Sequence, residues 1–351
     1  MRHSLSFPQS HNRRRPLRLT HEDASRLTLL FLAKHALSGG VPHVTDGSHA
    51  VYHHEMLEAL RATGARVIAA DSYDILFNPP RVDFVVPLLN RGGFQNSEML
   101  APLLLARAGI PYLGASPMLR GLGDDKHLMK LVARAYGIPT ADWRTFRCDG
   151  FGEAPLPDDW EDMIVKPNAS SASWGVKRCE GRAAAIDHVA SLHGESHDAI
   201  VEPWIGARDI AVPVIGGKTP WLLPAFAYDP QGSGGLRSYA EKRNLVPGDD
   251  DPLEPIEDVS LVHRLEEATR QLLPELWPFD YGRFEFRYEP ATGEFWFMEV
   301  NLSCNLWSKK TISRSAASIG IDHESLVEHI VAQSMLRQGA IHRQLKLRHA
   351  A

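Results

Sequence analysis

The residues best suited to chemistry gather in one stretch near the C-terminal end, Tyr281 to Asn305 (YGRFEFRYEPATGEFWFMEVNLSCN). It reads as two strands around a turn. Pro290, Thr292 and Gly293 interrupt the alternation, and Gly293 suits the left-handed last position of a three-residue hairpin loop. A loop over Ala291 to Gly293 sets Glu285 opposite Glu299 and Arg283 opposite Asn301. Phe284, Phe286 and Tyr288 then share an apolar face with Trp296, Met298 and Val300. Arg283, Glu285, Arg287, Phe297, Glu299 and Asn301 share the other. Two directly opposed carboxylates repel, which a fold tolerates when a cation sits between them. Hard oxygen donors from Glu285, Glu299 and the Asn301 amide suit Mg²⁺, which takes one or two carboxylates together with substrate phosphates. The same face also fits an ordinary exposed hairpin whose glutamates are neutralised by Arg283 and Arg287.

Two weaker constellations lie upstream. Met163 to Pro167 is a short apolar run ending on Lys166, and a loop of small residues follows, NASSASWG, from Asn168 to Gly175. A lysine there can supply charge to a phosphate while unobstructed backbone N–H groups wrap its oxygens. A plain β-turn has the same composition. Glu202 and Asp209 flank a turn and can accept hydrogen bonds from an adenine amino group and from ribose hydroxyls, although surface acids are common.

These side chains need elements to hold them. Strand-like runs at Leu27–Ala33, Arg66–Ala70 and Asp83–Leu89 alternate with helical runs from His49 to Thr63 and from Ser97 to Ala108, the latter closed by Gly109. That rhythm predicts a parallel sheet covered on both faces. Ligands bind at the carboxyl ends of such strands, which nominates the loops 34–47 and 90–96 as substrate loops. Asp124 or Asp125 caps a helix through Tyr136. Beyond it the strands become those of an α+β protein. The segment 1–24 is polar, basic and without a period, so it reads as a disordered tail.

Composition narrows the function classes. With 351 residues the chain exceeds a single core, and a net charge of −5 argues against a general nucleic-acid binder. No apolar run approaches the length of a membrane span. Three scattered cysteines, Cys148, Cys179 and Cys304, point to a reducing, cytoplasmic setting without structural zinc. His188, His193 and His197 do not repeat at i, i+4 and read as a solvated helix face.

Seven segments then agree in order and spacing with one family: LLNRGGFQNSEML, GIPYLGASPMLRGLGDDKHLMK, GIPTADW, MIVKPNASSASWGV, VEPWIGARDIAV, YAEKRNL and GRFEFR…FWFMEVN. From about Leu27 to Gln338 the chain resembles the D-alanine–D-alanine ligase branch of the ATP-grasp family. The resemblance implies a Rossmann-like N-terminal α/β substrate domain (25–122), then two α+β lobes enclosing ATP (123–209 and 210–351). It implies ATP and two Mg²⁺ ions as cofactors, small carboxylate and amine substrates, and a homodimer as a family expectation. Lys126 and Lys166 resemble the lysines on the nucleotide phosphates, and Ser170, Ser171 and Ser173 lie in the loop over them. Glu202 resembles the adenine-side residue, Asp209 the ribose acceptor and Lys242 the mobile-loop lysine that reaches the γ-phosphate. Gly232, Gly234 and Gly235 suit the 229–257 loop to act as a lid that excludes water. Glu285, Glu299 and Asn301 take the magnesium positions, and Arg283 that of the arginine on the tetrahedral intermediate.

The departures fall on the amino-acid side. Asn305 and Cys304 stand where the family has glycine and proline after E-x-N. Cys304 is either a nucleophile or a small packing residue. The acid that holds the first amino group has no clear counterpart, Asp46 being nearest. Asn90 opens a substrate loop. Lys309 and Lys310 sit where the acceptor carboxylate is bound, or are simply exposed lysines near a helix start. The expectation is therefore an ATP-dependent carboxylate–amine ligase acting on substrates other than two D-alanines. The alternatives are a true D-alanine–D-alanine ligase and a non-catalytic ATP-binding protein, and the retained Arg283, Glu285, Glu299, Asn301, Lys126 and Lys166 speak against the last.

Overall fold

The computed structural model describes residues 14–89, 96–151, 154–170, 172–228, 235–236 and 252–341. The chain begins with helix α1 (His21–Arg26), strand β1 (Thr28–Leu32), helix α2 (His49–Ala62), strands β2 (Arg66–Ala70) and β3 (Phe84–Pro87), and helix α3 (Leu100–Ala108). The three strands form a parallel sheet in the order β2-β1-β3. Strand alternation gives it two buried faces. Leu29, Phe31, Phe84 and Val86 pack toward α2, while Leu30, Leu32 and Val85 pack toward α3. The run Ile110–Leu113 contributes only a bridge from Tyr112 to Val85.

Residues 14–24 correct the expectation of a disordered tail. Thr20 caps α1, and the Leu17 N–H donates to His329 Nδ1 at 2.7 Å. The Leu19 N–H donates to Glu328 at 2.7 Å, and Arg18 pairs with the same carboxylate. Lacking a period, this segment acquires its order from the helix beneath it. Its local signal was the capping box Thr20-x-x-Asp23.

Helix α4 (Pro117–Asp124) and helix α5 (Lys126–Ala135) follow, with Asp125 capping α5 through the Leu128 N–H at 2.8 Å. Next come β4 (Arg144–Phe146), β5 (Asp162–Pro167), β6 (Lys177–Glu180), α6 (Arg182–Gly194) and β7 (Ala199–Pro203). These strands make an antiparallel sheet ordered β4-β7-β5-β6, with a small core of its own against α6.

The second antiparallel sheet is built on β8 (Arg208–Ile215), β9 (Trp221–Leu222), β10 (Phe226–Tyr228), β11 (Leu253–Pro255), β12 (Tyr281–Glu289) and β13 (Glu294–Asn301). Its order is β11-β10-β8-β12-β13, with β9 beside β8. Helix α7 (Val259–Leu272) covers its core. Helices α8 (Thr311–Ser318) and α9 (His323–Gln338) run back onto the N-terminal sheet, where Val327, Ile330 and Val331 join the core of α2. Asp280, just before β12, fastens this joint. It accepts a two-pronged Arg337 at 3.0 and 3.0 Å and the Gly114 N–H at 2.7 Å. The expected domain limits at 122/123 and 209/210 fall inside α4 and β8. Met129 and Ala133 of α5 pack into the core of the second sheet. Among the described residues no helix is long and apolar enough to cross a membrane.

Candidate active site

The hairpin β12–β13 places its charged pairs as expected but by a different route. Arg283 faces Asn301 and Glu285 faces Glu299, yet from Phe286 onward the register shifts by one. The loop is the four residues 290–293, closed by Glu289 opposite Glu294, and Met298 is the extra residue of a β-bulge. The two deviations cancel at the glutamates. They do not cancel at the apolar face, which is corrected to Phe284, Phe286, Phe295, Phe297 and Val300. The Phe286 ring lies 5.7 Å from both Phe295 and Phe297. Phe297 is fully buried, whereas Trp296 and Met298 are only half-buried and turn to the charged face.

That face lines a cavity of about 420 Å³, of the size that holds a small ligand. A row of side chains crosses the sheet there: Tyr228 beside Asp209, Asp209 beside Arg287, Arg287 beside Trp296. Arg287 does not neutralise the glutamates. It pairs with Asp209 at 2.9 Å and donates to the carbonyls of Ile205 and Gly235 at 2.7 and 2.8 Å. Arg283 serves three partners, Glu285 at 2.8 Å, the Tyr228 hydroxyl at 2.9 Å and Thr311 Oγ1 at 3.2 Å. Burial alone would lower its pKa, but the neighbouring Tyr228 oxygen and Glu285 carboxylate outweigh it and raise it, so it stays cationic. Lys126 Nζ lies 3.5 Å from Glu299 Oε2.

Lys126 also joins the hairpin to the small-residue loop. It donates to the Ser170 carbonyl at 3.3 Å, and its backbone N–H donates to the Asn168 carbonyl at 3.1 Å. Ser170 and Ser173 line the cavity. Where a glycine would be expected, Ala172 and Ser173 take positive φ, 54° and 58°. Ser171, Lys242 and Asn90 lie outside the described residues, as do 229–234 and 237–251 of the expected lid.

Lys166 and Glu202 were assigned separate roles, but they form one buried pair at 2.9 Å across the sheet. Lys130 joins them at 3.4 Å from Glu202, with its ammonium 5.1 Å from the Trp143 ring. Burial would raise the Glu202 pKa; the two lysines outweigh it and hold the carboxylate below its usual range. Burial pulls Lys130 down to about 8, with the Lys166 charge adding to the fall and Glu202 only partly offsetting it. Sequence reasoning missed Lys130, whose signal was its place one helical turn after Lys126. It also missed Tyr228 and Thr311, which no local pattern marks.

The remaining expected residues divide. Asp46 reaches the cavity wall, but it is already held by Lys34 and by His35 Nε2 at 2.9 Å. Burial would raise its pKa; Lys34 and His35 bring it down to about 2. Lys310 lines the cavity, while Lys309 is exposed beside Trp307. Asn305 also lines it, with its side-chain oxygen accepting the Trp307 N–H at 2.7 Å. Cys304 is 1% exposed, and burial pushes its thiol up to about 12, so it is a packing residue and not a thiolate nucleophile.

The donor set fits Mg²⁺. Two opposed carboxylates and an amide oxygen, all hard donors, stand at one cavity wall with no sulfur or imidazole among them. Glu285, Glu299 and Asn301 would hold the ion.

The D-ala D-ala ligase C-terminus family profile matches residues 132–332, more than half of the chain. The chain belongs to that family. Its fold is ATP-grasp, and it is an ADP-forming ligase of the D-alanine–D-alanine ligase-like branch. A D-alanine–D-alanine ligase of Marinomonas sp. is 27% identical over 289 residues, covering 80% of this chain and 89% of the relative. One from Desulfovibrio desulfuricans is 28% identical over 291 residues, covering 79% and 89%. The solved D-alanine–D-alanine ligase of Bacillus anthracis, complexed with ATP, superposes with a TM-score of 0.68 at 20% identity, covering 90% of this chain and 99% of that one. At that identity the superposition speaks for the fold.

Proposed function

We propose that this family member joins a carboxylate to an amine through an acyl phosphate, and that two molecules of D-alanine are the first substrates to test. One observation carries the reading: Lys126, Arg283, Glu285, Glu299 and Asn301, from α5, β12 and β13, converge on a single cavity. The relatives' names supply the substrate, and they weigh against the expectation of a different pair.

A carboxylate oxygen attacks the γ-phosphorus of ATP, the β–γ bridging P–O bond breaks, and ADP leaves with the electron pair. The protein need only align the groups and offset charge on the phosphate oxygens. Lys126 stands between the small-residue loop and Glu299, where it can serve both phosphates and metal wall. Mg²⁺, when bound, screens the transferring phosphoryl group. The amine nitrogen then attacks the acyl carbon, the C–O bond to phosphate breaks, and the amine gives up a proton. Arg283 is the cation placed for the oxyanion, steadied by Tyr228, Thr311 and Glu285.

A second reading keeps the chemistry and changes the substrates. It rests on Asp46, whose carboxylate is engaged by Lys34 and His35 and so is not poised for a substrate ammonium. ADP, phosphate and amide product, measured with Mg-ATP and D-alanine alone and then with paired D- and L-amino acids and small carboxylic acids, decide between them. D-alanine sufficing supports the first reading, and another pair sufficing supports the second. Mg-ATP binding without ADP release from any pair would sink both.

A further inference from the structure

The loop between β1 and α2 carries a cluster to which the ligase chemistry gives no role as metal ligands. His35, His43 and Asp46 bring one ligand atom each to within 4.8 Å of one another, and they are the one such group of His, Cys, Asp and Glu among the described residues. We propose that these three side chains form a binding site for a transition-metal dication of the Zn²⁺ type at the rim of the active-site cavity.

The chemistry of the donors selects the class of ion. Two imidazoles and a carboxylate suit Zn²⁺ and its first-row neighbours, and suit Mg²⁺ poorly. Three protein ligands leave a fourth position for water or an exogenous group, the arrangement of an open zinc site. His35 and Asp46 are already aligned, Nε2 to Oδ2 at 2.9 Å, and both are buried. The loop closes on itself through His43 and Gly47, which exchange backbone hydrogen bonds of 3.1 and 2.8 Å, and this holds His43 beside Asp46. The His43 ring lies 4.8 Å from the His35 ring.

A tetrahedral ion with bonds of about 2.0–2.1 Å needs ligand atoms roughly 3.4 Å apart. The widest separation, 4.8 Å, must therefore shrink by up to about 1.4 Å, while the 2.9 Å contact between His35 and Asp46 opens by about 0.5 Å. His43 is the exposed member, so its ring can make the move. Thr45 holds this ring at Nδ1, where its backbone N–H donates at 3.3 Å and its Oγ1 lies at 3.1 Å. Ligation through Nε2 therefore needs a tautomer change, with Nδ1 giving up the backbone donor and donating to Oγ1 instead.

Lys34 occupies the same carboxylate. Its ammonium contacts Asp46 Oδ2, the oxygen that also meets His35, and its side chain is 56% exposed. A dication and this ammonium compete for one oxygen, and Lys34 has room to swing into solvent. Asp46 lines the cavity, so exchanging the ammonium for a metal would alter the charge on the substrate wall. The assignment is independent of the ligase reading.

The test is equilibrium dialysis of the full chain against Zn²⁺, with bound metal counted by mass spectrometry and Co²⁺ absorption reporting the ligand set. Glu299→Gln serves as the background, so that the hairpin glutamates do not contribute. One equivalent per chain with a tetrahedral Co²⁺ spectrum is expected. His43→Ala should weaken binding by more than about 100-fold, beyond the loss typical of an outer-shell change, with an unchanged melting curve. Lys34→Met should bind several-fold more tightly, because the competitor is gone. Zn²⁺ retained in His43→Ala, or unchanged or weaker binding in Lys34→Met, overturns the site.

Discussion

At the hairpin end of the cavity, Glu285 and Glu299 face each other across a strand pair, and their cations are loosely committed. Lys126 stands 3.5 Å from Glu299, and Arg283 divides itself among Glu285, Tyr228 and Thr311. At the N-terminal end, Asp46 is gripped by Lys34 and His35. The first arrangement can exchange partners when a metal–nucleotide arrives. The second must be opened before it can receive anything. On the proposed reading, ATP chemistry is built into the backbone register of one sheet, whereas substrate choice would rest on a side-chain pair in a loop, which a few substitutions can change.

The largest effect is expected at the hairpin. Glu299→Gln keeps size and hydrogen bonding but removes the charge opposite Glu285. ADP release should fall by about 10²–10³ or more while circular dichroism shows the fold retained. A loss of less than tenfold would break the contrast, because the glutamate pair would then be an ordinary strand pair.

At the other end, Asp46→Asn frees Lys34 and leaves the ATP site untouched. The KM for one amino-acid substrate should change by about tenfold, the worth of one charged hydrogen bond, with the KM for ATP constant. Equal changes in both would show that the loop acts on the nucleotide.

The hairpin's chemistry was legible because strand pairing is a local rule. Glu285 and Glu299 meet whether the loop holds three residues and the strand is regular, or the loop holds four and Met298 bulges. The apolar face was misread for the same reason, since a single bulge reverses which side chains point inward. The parallel sheet showed in the rhythm of β1, α2, β2 and β3. The Lys130–Glu202–Lys166 group did not, because its members come from a helix and two strands whose approach no spacing encodes. Residues 14–19 were illegible for the same physical cause: their partners, Glu328 and His329, lie some three hundred residues away.

That docked segment carries a pH dependence. His329 is buried and accepts the Leu17 N–H, so its ring must stay neutral when folded. Burial, with Arg14 nearby, lowers its pKa to about 4. Below the ordinary value near 6.5 the unfolded chain binds a proton that the folded chain refuses, so stability is lost as pH falls toward 4. The loss is about 3 kcal/mol across that window. His329→Gln keeps an acceptor and does not titrate. Chemical denaturation at pH 7 and pH 4.5 should show a smaller acid loss in the variant, and an equal loss would place the acid sensitivity elsewhere.

The smallest effects set the two ends against each other most directly. Both use left-handed backbone, but with different residues. The loop between β1 and α2 places glycines there, Gly40 at φ 81°, while the small-residue loop forces Ala172 to 54°. For an L-residue that conformation costs about 1–2 kcal/mol. Ala172→Gly removes the strain but adds freedom to the unfolded chain, worth roughly 0.5–1 kcal/mol. Stability should therefore stay level or rise by up to about 1 kcal/mol. Gly40→Ala runs the other way. It incurs the same strain, and its Cβ would stand 2.9 Å from the His54 ring. A loss of about 1 kcal/mol or more is expected. Opposite signs in urea denaturation would confirm that the small-residue loop stores strain and the loop between β1 and α2 does not. If Ala172→Gly destabilises by more than about 1 kcal/mol, the alanine methyl is holding that loop in place, and the contrast between the two ends fails at the backbone.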